Sequence, residues 1–73
     1  MKAMQLTEQD FEARTARFPE SVFFKYSNFE SALASFTRKD ASPMFNSDEL
    51  FMFEVIGKGF VVQTTGSLQK LGA

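Results

Sequence analysis

The chain has 73 residues, which is enough for one small domain, and a net charge of −1 with acidic and basic residues interspersed. A balanced charge does not favour a stand-alone nucleic-acid binder, because affinity for DNA or RNA comes largely from a basic excess that neutralises phosphates. The absence of Cys excludes disulfides and thiolate metal sites. Together with the lack of a long apolar run, it predicts a cytoplasmic protein.

A short helix is predicted over residues 7–18. Thr7 suits the N-cap position, and Leu6 and Phe11 have the spacing of a hydrophobic staple. Pro19 disfavours helical geometry at the residue before it and should end the element. The apolar stripe is thin, so this helix depends on tertiary packing for its stability.

A strand is predicted over residues 21–26, where β-branched and aromatic residues alternate with others. Phe23 and Phe24 are neighbours and must point to opposite faces of a sheet. Phe23 is therefore either covered by the first helix or exposed.

The second helix has the clearer signature. Ser27 and Glu30 have the spacing of a capping box, with Ser27 as the N-cap, and the helix is predicted to run to about Arg38 or Lys39. Its apolar residues recur at helical spacing on one face: Phe29, Ala32, Leu33 and Phe36.

Residues 40–49 are rich in turn formers and predict a loop. Met44 and Phe45 are conspicuous in this polar segment, and they either fold back onto the core or contact a partner.

A β-hairpin is predicted over residues 50–65. Gly57-Lys58 suits a two-residue turn with Gly first, which places Phe53 opposite Val62. That register collects the large apolar residues on one sheet face: Phe51, Phe53, Val55, Phe60 and Val62.

The elements together predict a small α+β fold in the order helix, strand, helix, strand, strand. We expect a mostly antiparallel sheet with both helices packed on one face. Residues 1–73 should form a single interaction domain, with residues 1–6 and 66–73 flexible.

The side chains offer little for catalysis. There is no His, the carboxylates do not pair convincingly, and no base stands beside a Ser or Thr. The Gly-Lys-Gly at 57–59 lacks the spacing of a phosphate-binding loop. We therefore expect a protein that is not an enzyme and that uses no cofactor and no metal.

Ten Phe residues in so short a chain point instead to an interaction protein, because such rings are hard to bury together and dominate interfaces. The basic residues near the N-terminus are either ordinary surface charge or a patch for an acidic partner or a nucleic-acid backbone. The candidate partner-binding residues are Lys2, Met4, Arg14, Arg17, Phe23, Met44 and Phe45.

The chain resembles the small transcription regulators that bacteriophages of Xanthomonas encode. The resemblance covers the whole length and includes the opening Met-Lys-Ala-Met-Gln-Leu and the stretch Ser-Val-Phe-Phe-Lys-Tyr-Ser-Asn-Phe-Glu. A weaker similarity, over Tyr26 to Phe36, is to the T7-type polymerase inhibitor, which also has a strand running into a capped helix. No portable motif assigns a binding residue by this route.

The resemblance implies a non-enzymatic protein that binds the two large subunits, β and β′, of the host RNA polymerase. It implies displacement of the sigma factor, antitermination and a contribution from the elongation factor NusA. We expect a monomer without a small-molecule substrate or membrane association, whose nucleic-acid contacts are secondary. The alternatives are a small nucleic-acid-binding module that stacks bases on exposed rings and an inhibitor of another host protein.

Overall fold

The computed structural model describes residues 4–66 and confirms the predicted small α+β class. In chain order the elements are β1 (Met4–Leu6), α1 (Glu8–Arg17), β2 (Val22–Tyr26), α2 (Phe29–Ala41), a 3-10 turn (Pro43–Phe45), β3 (Leu50–Val55) and β4 (Gly59–Thr64).

The four strands form one mixed sheet in the order β1-β3-β4-β2. The β1 strand runs parallel to β3, with Met4 beside Phe53 and Leu6 beside Val55, and the other pairs are antiparallel. Met4–Leu6, which belong to the segment expected to be flexible, are thus paired as an edge strand of the sheet. A three-residue strand has too few positions to show alternation, and its pairing partner lies far along the chain. Of the other residues predicted to be flexible, Gly66 forms a bend after β4, and residues 1–3 and 67–73 lie outside the described residues.

The α1 helix begins as the sequence predicts. Thr7 is the N-cap, and its side-chain oxygen accepts a hydrogen bond from the Asp10 backbone N–H at 3.1 Å. Leu6 and Phe11 pack into the same apolar cluster, which agrees with the predicted staple.

The predicted cap of α2 is wrong by one residue. Asn28, not Ser27, is the N-cap, and its Oδ1 accepts from the Ser31 backbone N–H at 2.8 Å. Asn and Ser are about equally good caps, so the spacing of Ser27 to Glu30 did not decide between them. The helix also continues to Ala41, two or three residues beyond the predicted end at Arg38 or Lys39.

The hairpin turn differs from the predicted one. Val55 pairs with Gly59, so residues 56–58 form a three-residue connection, closed by a hydrogen bond from the Lys58 N–H to the Val55 carbonyl at 2.9 Å. Gly57 and Gly59 both have positive φ, +83° and +109°, which a three-residue loop can use and a side chain would resist.

This turn shifts the register by one residue and exchanges the partners across the hairpin. Phe53 lies opposite Val61 rather than Val62, and Met52 lies opposite Val62. Because neighbouring residues on a strand face opposite sides, the apolar side chains are divided between both faces of the sheet.

Both faces are consequently covered, and the expectation that the helices share one face is wrong. The α2 helix packs on the face of Met52 and Val62, whereas α1 packs on the face of Phe53 and Val61. The sheet is the middle layer of three, since each of its faces is too apolar to leave in water.

Candidate functional site

The α1 face of the sheet is covered incompletely. No residue of α1 is fully buried. The helix is held largely by the ring of Phe11, whose centroid lies 5.7 Å from that of Phe23 in an edge-to-face arrangement and 5.9 Å from that of Phe53. Phe23 is therefore covered by α1, which resolves the alternative that the sequence left open.

Arg14, one turn further along α1, lies among three aromatic rings. Its guanidinium carbon is 5.2 Å from the ring centroid of Phe18, 5.0 Å from that of Phe51 and 5.3 Å from that of Phe53. These distances are within the range of cation–π attraction, which is stronger where the cation is partly removed from water. Arg14 is half-buried, so its side chain is part of the packing between α1 and the sheet.

Two linked hydrogen bonds hold the Arg14 side chain against the sheet. The Nε–H of Arg14 donates to Oε1 of Gln63 at 2.6 Å, and Nε2 of Gln63 donates to Oγ of Ser21 at 3.1 Å. Gln63 is fully buried in β4, so both ends of its amide have partners in an otherwise apolar layer. No local sequence signal could have revealed this pairing, because it depends on the hairpin register.

The charge of Arg14 is not neutralised within the described residues. The one ion pair within 4 Å there joins Lys58 and Glu8, at 3.9 Å between exposed side chains. Arg14 and Arg17 instead line a depression of about 230 Å³ together with Leu6, Asp10 and Ala13.

A larger groove of about 420 Å³ lies toward the hairpin end of the same face. Two acidic residues of α1, Glu8 and Glu12, and two lysines, Lys25 and Lys58, line its sides. Its apolar lining is formed by Phe11, Val55, Phe60 and Val61. The groove carries balanced charge and thus has no preference for an anion or a cation.

On the opposite face, α2 brings the hydroxyl of Ser35 and the side chain of Lys39 together. Lys39 Nζ donates to Ser35 Oγ at 2.7 Å, and the hydroxyl of Tyr26 donates to the same oxygen. The i, i+4 spacing of Ser35 and Lys39 on a predicted helix could have revealed this pair. Ser35 is fully buried, and the half-buried Lys39 places its Nζ 4.0 Å from the ring centroid of Phe24, so the serine hydroxyl is enclosed by the packing.

The predicted partner-binding residues fall into separate places. Arg14, Arg17 and Phe23 come together on the α1 side, with Arg14 and Phe23 half-buried and Arg17 exposed. Phe45 is half-buried beside Lys39 of α2, whereas Met44 is 50% exposed. The two remaining residues are at the start of the chain: Met4, 46% exposed on the edge strand β1, and Lys2, outside the described residues.

Within residues 4–66 no group of three or more acidic, His or Cys side chains is placed to hold a metal ion. No helix in the same range has the length and apolar character needed to cross a membrane. Comparison with protein-family models, curated proteins and solved structures finds no match to this chain.

Proposed function

We propose that this chain is a non-enzymatic regulator that acts by binding the RNA polymerase of a bacterial host. In this proposal it engages the large subunits β and β′ in the cytoplasm of an infected cell. It blocks promoter recognition by displacing sigma and promotes antitermination with help from NusA.

One observation carries the binding part of the proposal: the domain buries only one of its ten Phe rings completely. Phe53 is the one Phe that is fully buried, and the other nine stay half-buried around the sheet. Large apolar surface that a small domain leaves accessible is typical of protein interaction sites, where aromatic residues are enriched.

The burial of Ser35 supports binding without turnover. Its hydroxyl receives hydrogen bonds from Lys39 and Tyr26, and no path leads a substrate to an oxygen that is fully enclosed. A nucleophile needs access to the reacting atom and a neighbour that accepts its proton, whereas Ser35 is enclosed and both of these neighbours donate to it.

The choice of target rests on the whole-chain resemblance to phage transcription regulators. Competition with sigma then predicts an effect that depends on the stage of transcription, because sigma contacts are needed for promoter recognition and not for elongation.

Order of addition in transcription by purified host polymerase tests the proposal. Protein added before the promoter complex forms should inhibit strongly, with an effect that saturates at a low fixed ratio of protein to polymerase. Protein added to an elongating complex should leave RNA synthesis running and increase read-through of a terminator. A single-subunit phage polymerase on its own promoter serves as the control and should be unaffected.

Two results would contradict this function. Inhibition that grows with time at substoichiometric protein would indicate turnover rather than binding. Equal inhibition before and after promoter escape would exclude competition with sigma.

A further inference from the structure

We propose that Arg14 is a preformed receptor for a carboxylate in an acidic segment of a protein partner, seated in the depression between Arg14 and Arg17. That this partner is the host polymerase rests on the proposed function, whereas the carboxylate chemistry rests on the geometry of the site.

The guanidinium is fixed in place before any ligand arrives. Three rings, those of Phe18, Phe51 and Phe53, lie 5.0–5.3 Å from its central carbon, and Gln63 accepts its Nε–H at 2.6 Å. A long side chain normally loses rotamer freedom when it is immobilised at an interface. At Arg14 the fold has already restricted that freedom, which is the condition under which an arginine becomes a strong binding determinant.

The hydrogen-bonding capacity of the same group is mostly unused. A guanidinium has five N–H donors, and within residues 4–66 Arg14 makes one side-chain hydrogen bond, from Nε. No carboxylate in that range lies within ion-pair distance of it. The terminal nitrogens thus keep the parallel donors that a planar carboxylate accepts in a two-pronged arrangement.

The second arginine adds attraction without competing for the same contacts. Arg17 is exposed, lines the same depression and lies with its guanidinium carbon 5.5 Å from the ring centroid of Phe18. An exposed charge at the rim of a site raises the association rate more than the affinity.

The site suits a single carboxylate better than a phosphate backbone. Asp10 lines the depression beside the two arginines and would repel a ligand carrying more negative charge. The net charge of the whole chain is −1, so the chain has no overall excess of positive charge to offset that repulsion.

A labelled peptide with a central Glu-Phe-Asp segment, compared with its Gln-Phe-Asn counterpart, tests the site by fluorescence anisotropy. The wild-type protein should bind the acidic peptide more tightly, and Arg14→Lys should weaken that binding about tenfold, because a lysine keeps the charge and loses the two-pronged geometry. Arg38→Lys is the matched control at an exposed position in the last turn of α2 and should change the affinity less than about twofold.

A second variant separates recognition from folding. Asp10→Asn removes the competing carboxylate at an exposed position and should tighten binding of the acidic peptide about two- to threefold. Glu30→Gln, in the first turn of α2, is its control and should have no effect. Damage to the fold would weaken binding and could not produce this gain.

Three results would overturn the proposal: equal binding of the two peptides, no loss with Arg14→Lys, or tighter binding of a uridine oligomer than of the acidic peptide. A final arm uses the host core polymerase. If it binds the wild type and Arg14→Lys equally, the carboxylate site is wrong and the proposed function survives. If the polymerase binds neither the wild type nor Arg14→Lys, while the wild type still prefers the acidic peptide and Arg14→Lys weakens that binding, the proposed function is wrong and the carboxylate site is supported.

Discussion

The two helices cover opposite faces of one sheet by different means. In α2, Ala32 and Ser35 are both 0% exposed, so the helix backbone itself approaches the sheet. In α1 no residue is fully buried. This helix contacts the sheet through the side chains of Phe11 and Arg14, and a surface depression lies on each side of that contact. One helix completes a close-packed core, while the other leaves aromatic and cationic groups within reach of a partner.

Residue size along each helix explains the difference. Small residues at the contact points of α2 allow its backbone to approach β3 and β4 closely. The ring of Phe36 packs there against the cluster that contains Met52 and Val62. The narrow apolar face of α1 carries large side chains where it contacts the sheet, and their length keeps the helix backbone farther from the strands. Stability should therefore depend more on the α2 face, and binding more on the α1 face.

Truncating one ring on each face gives the largest contrast. Phe36→Ala removes a ring from the α2 cluster and should cost about 3–5 kcal/mol. That loss equals the roughly 3–5 kcal/mol that a single core of this size supplies, so the cooperative thermal transition should disappear. Phe11→Ala should cost less and should release α1 while the sheet and α2 persist, as measured by amide hydrogen exchange.

Hydrogen exchange separates these outcomes residue by residue. In Phe11→Ala, protection should fall in Glu8–Arg17 and remain in Gly59–Thr64. Loss of protection across β4 in this variant, with Phe36→Ala still folding cooperatively, would reverse the assignment of the two faces.

The second contrast tests the close approach of β2 to the first residue of β4. A Cβ on Gly59 would lie 2.5 Å from the carbonyl oxygen of Tyr26, whereas one on Gly57 would meet nothing within 4 Å. Both glycines have positive φ, so alanine at either position carries about 1–2 kcal/mol of backbone strain. Gly59→Ala should cost a further 1–3 kcal/mol or so from the clash. Equal urea-unfolding midpoints for the two variants would show that β2 and β4 do not approach this closely.

Local signals in the sequence were sufficient for the helices and for most strands. Thr7 was correctly identified as a cap, and the spacing of Phe29, Leu33 and Phe36 placed α2 and its buried face correctly. These features depend on neighbours within a few residues, where sequence and geometry are closely coupled.

Features set by distant residues were not predictable in the same way. Met4–Leu6 becomes a strand only beside β3, and Gln63 meets Arg14 only after a three-residue turn shifts the hairpin by one position. A shift of one residue exchanges the faces of every side chain on a strand, so an error in the turn carried through to the placement of both helices. Arg14 was singled out for its charge, but its ring environment depends on that same register.

The third test compares the same type of substitution, alanine to leucine, made separately in each helix. Ala32→Leu adds volume where α2 meets the sheet and should destabilise the domain by about 1–3 kcal/mol, because close-packed cores resist overpacking. Ala13→Leu adds the same volume at an exposed position of α1 and should change stability by less than about 0.5 kcal/mol. Chemical denaturation of both variants gives the comparison directly, and equal losses would mean that α1 is packed as tightly as α2.

The smallest expected effect concerns two neighbouring buried polar residues that face opposite helices. Gln63, on the α1 side, has hydrogen-bond partners at both ends of its amide, whereas Thr64, on the α2 side, has a buried hydroxyl oxygen with no partner among the described residues. An unpaired buried hydroxyl costs roughly 1–3 kcal/mol, and valine keeps its branched shape without that cost. Thr64→Val should thus stabilise the domain by about 1 kcal/mol, while Gln63→Leu should destabilise it by leaving Arg14 without its acceptor. Thermal unfolding would measure both shifts, and a lower melting temperature for Thr64→Val would mean that the hydroxyl has a partner after all.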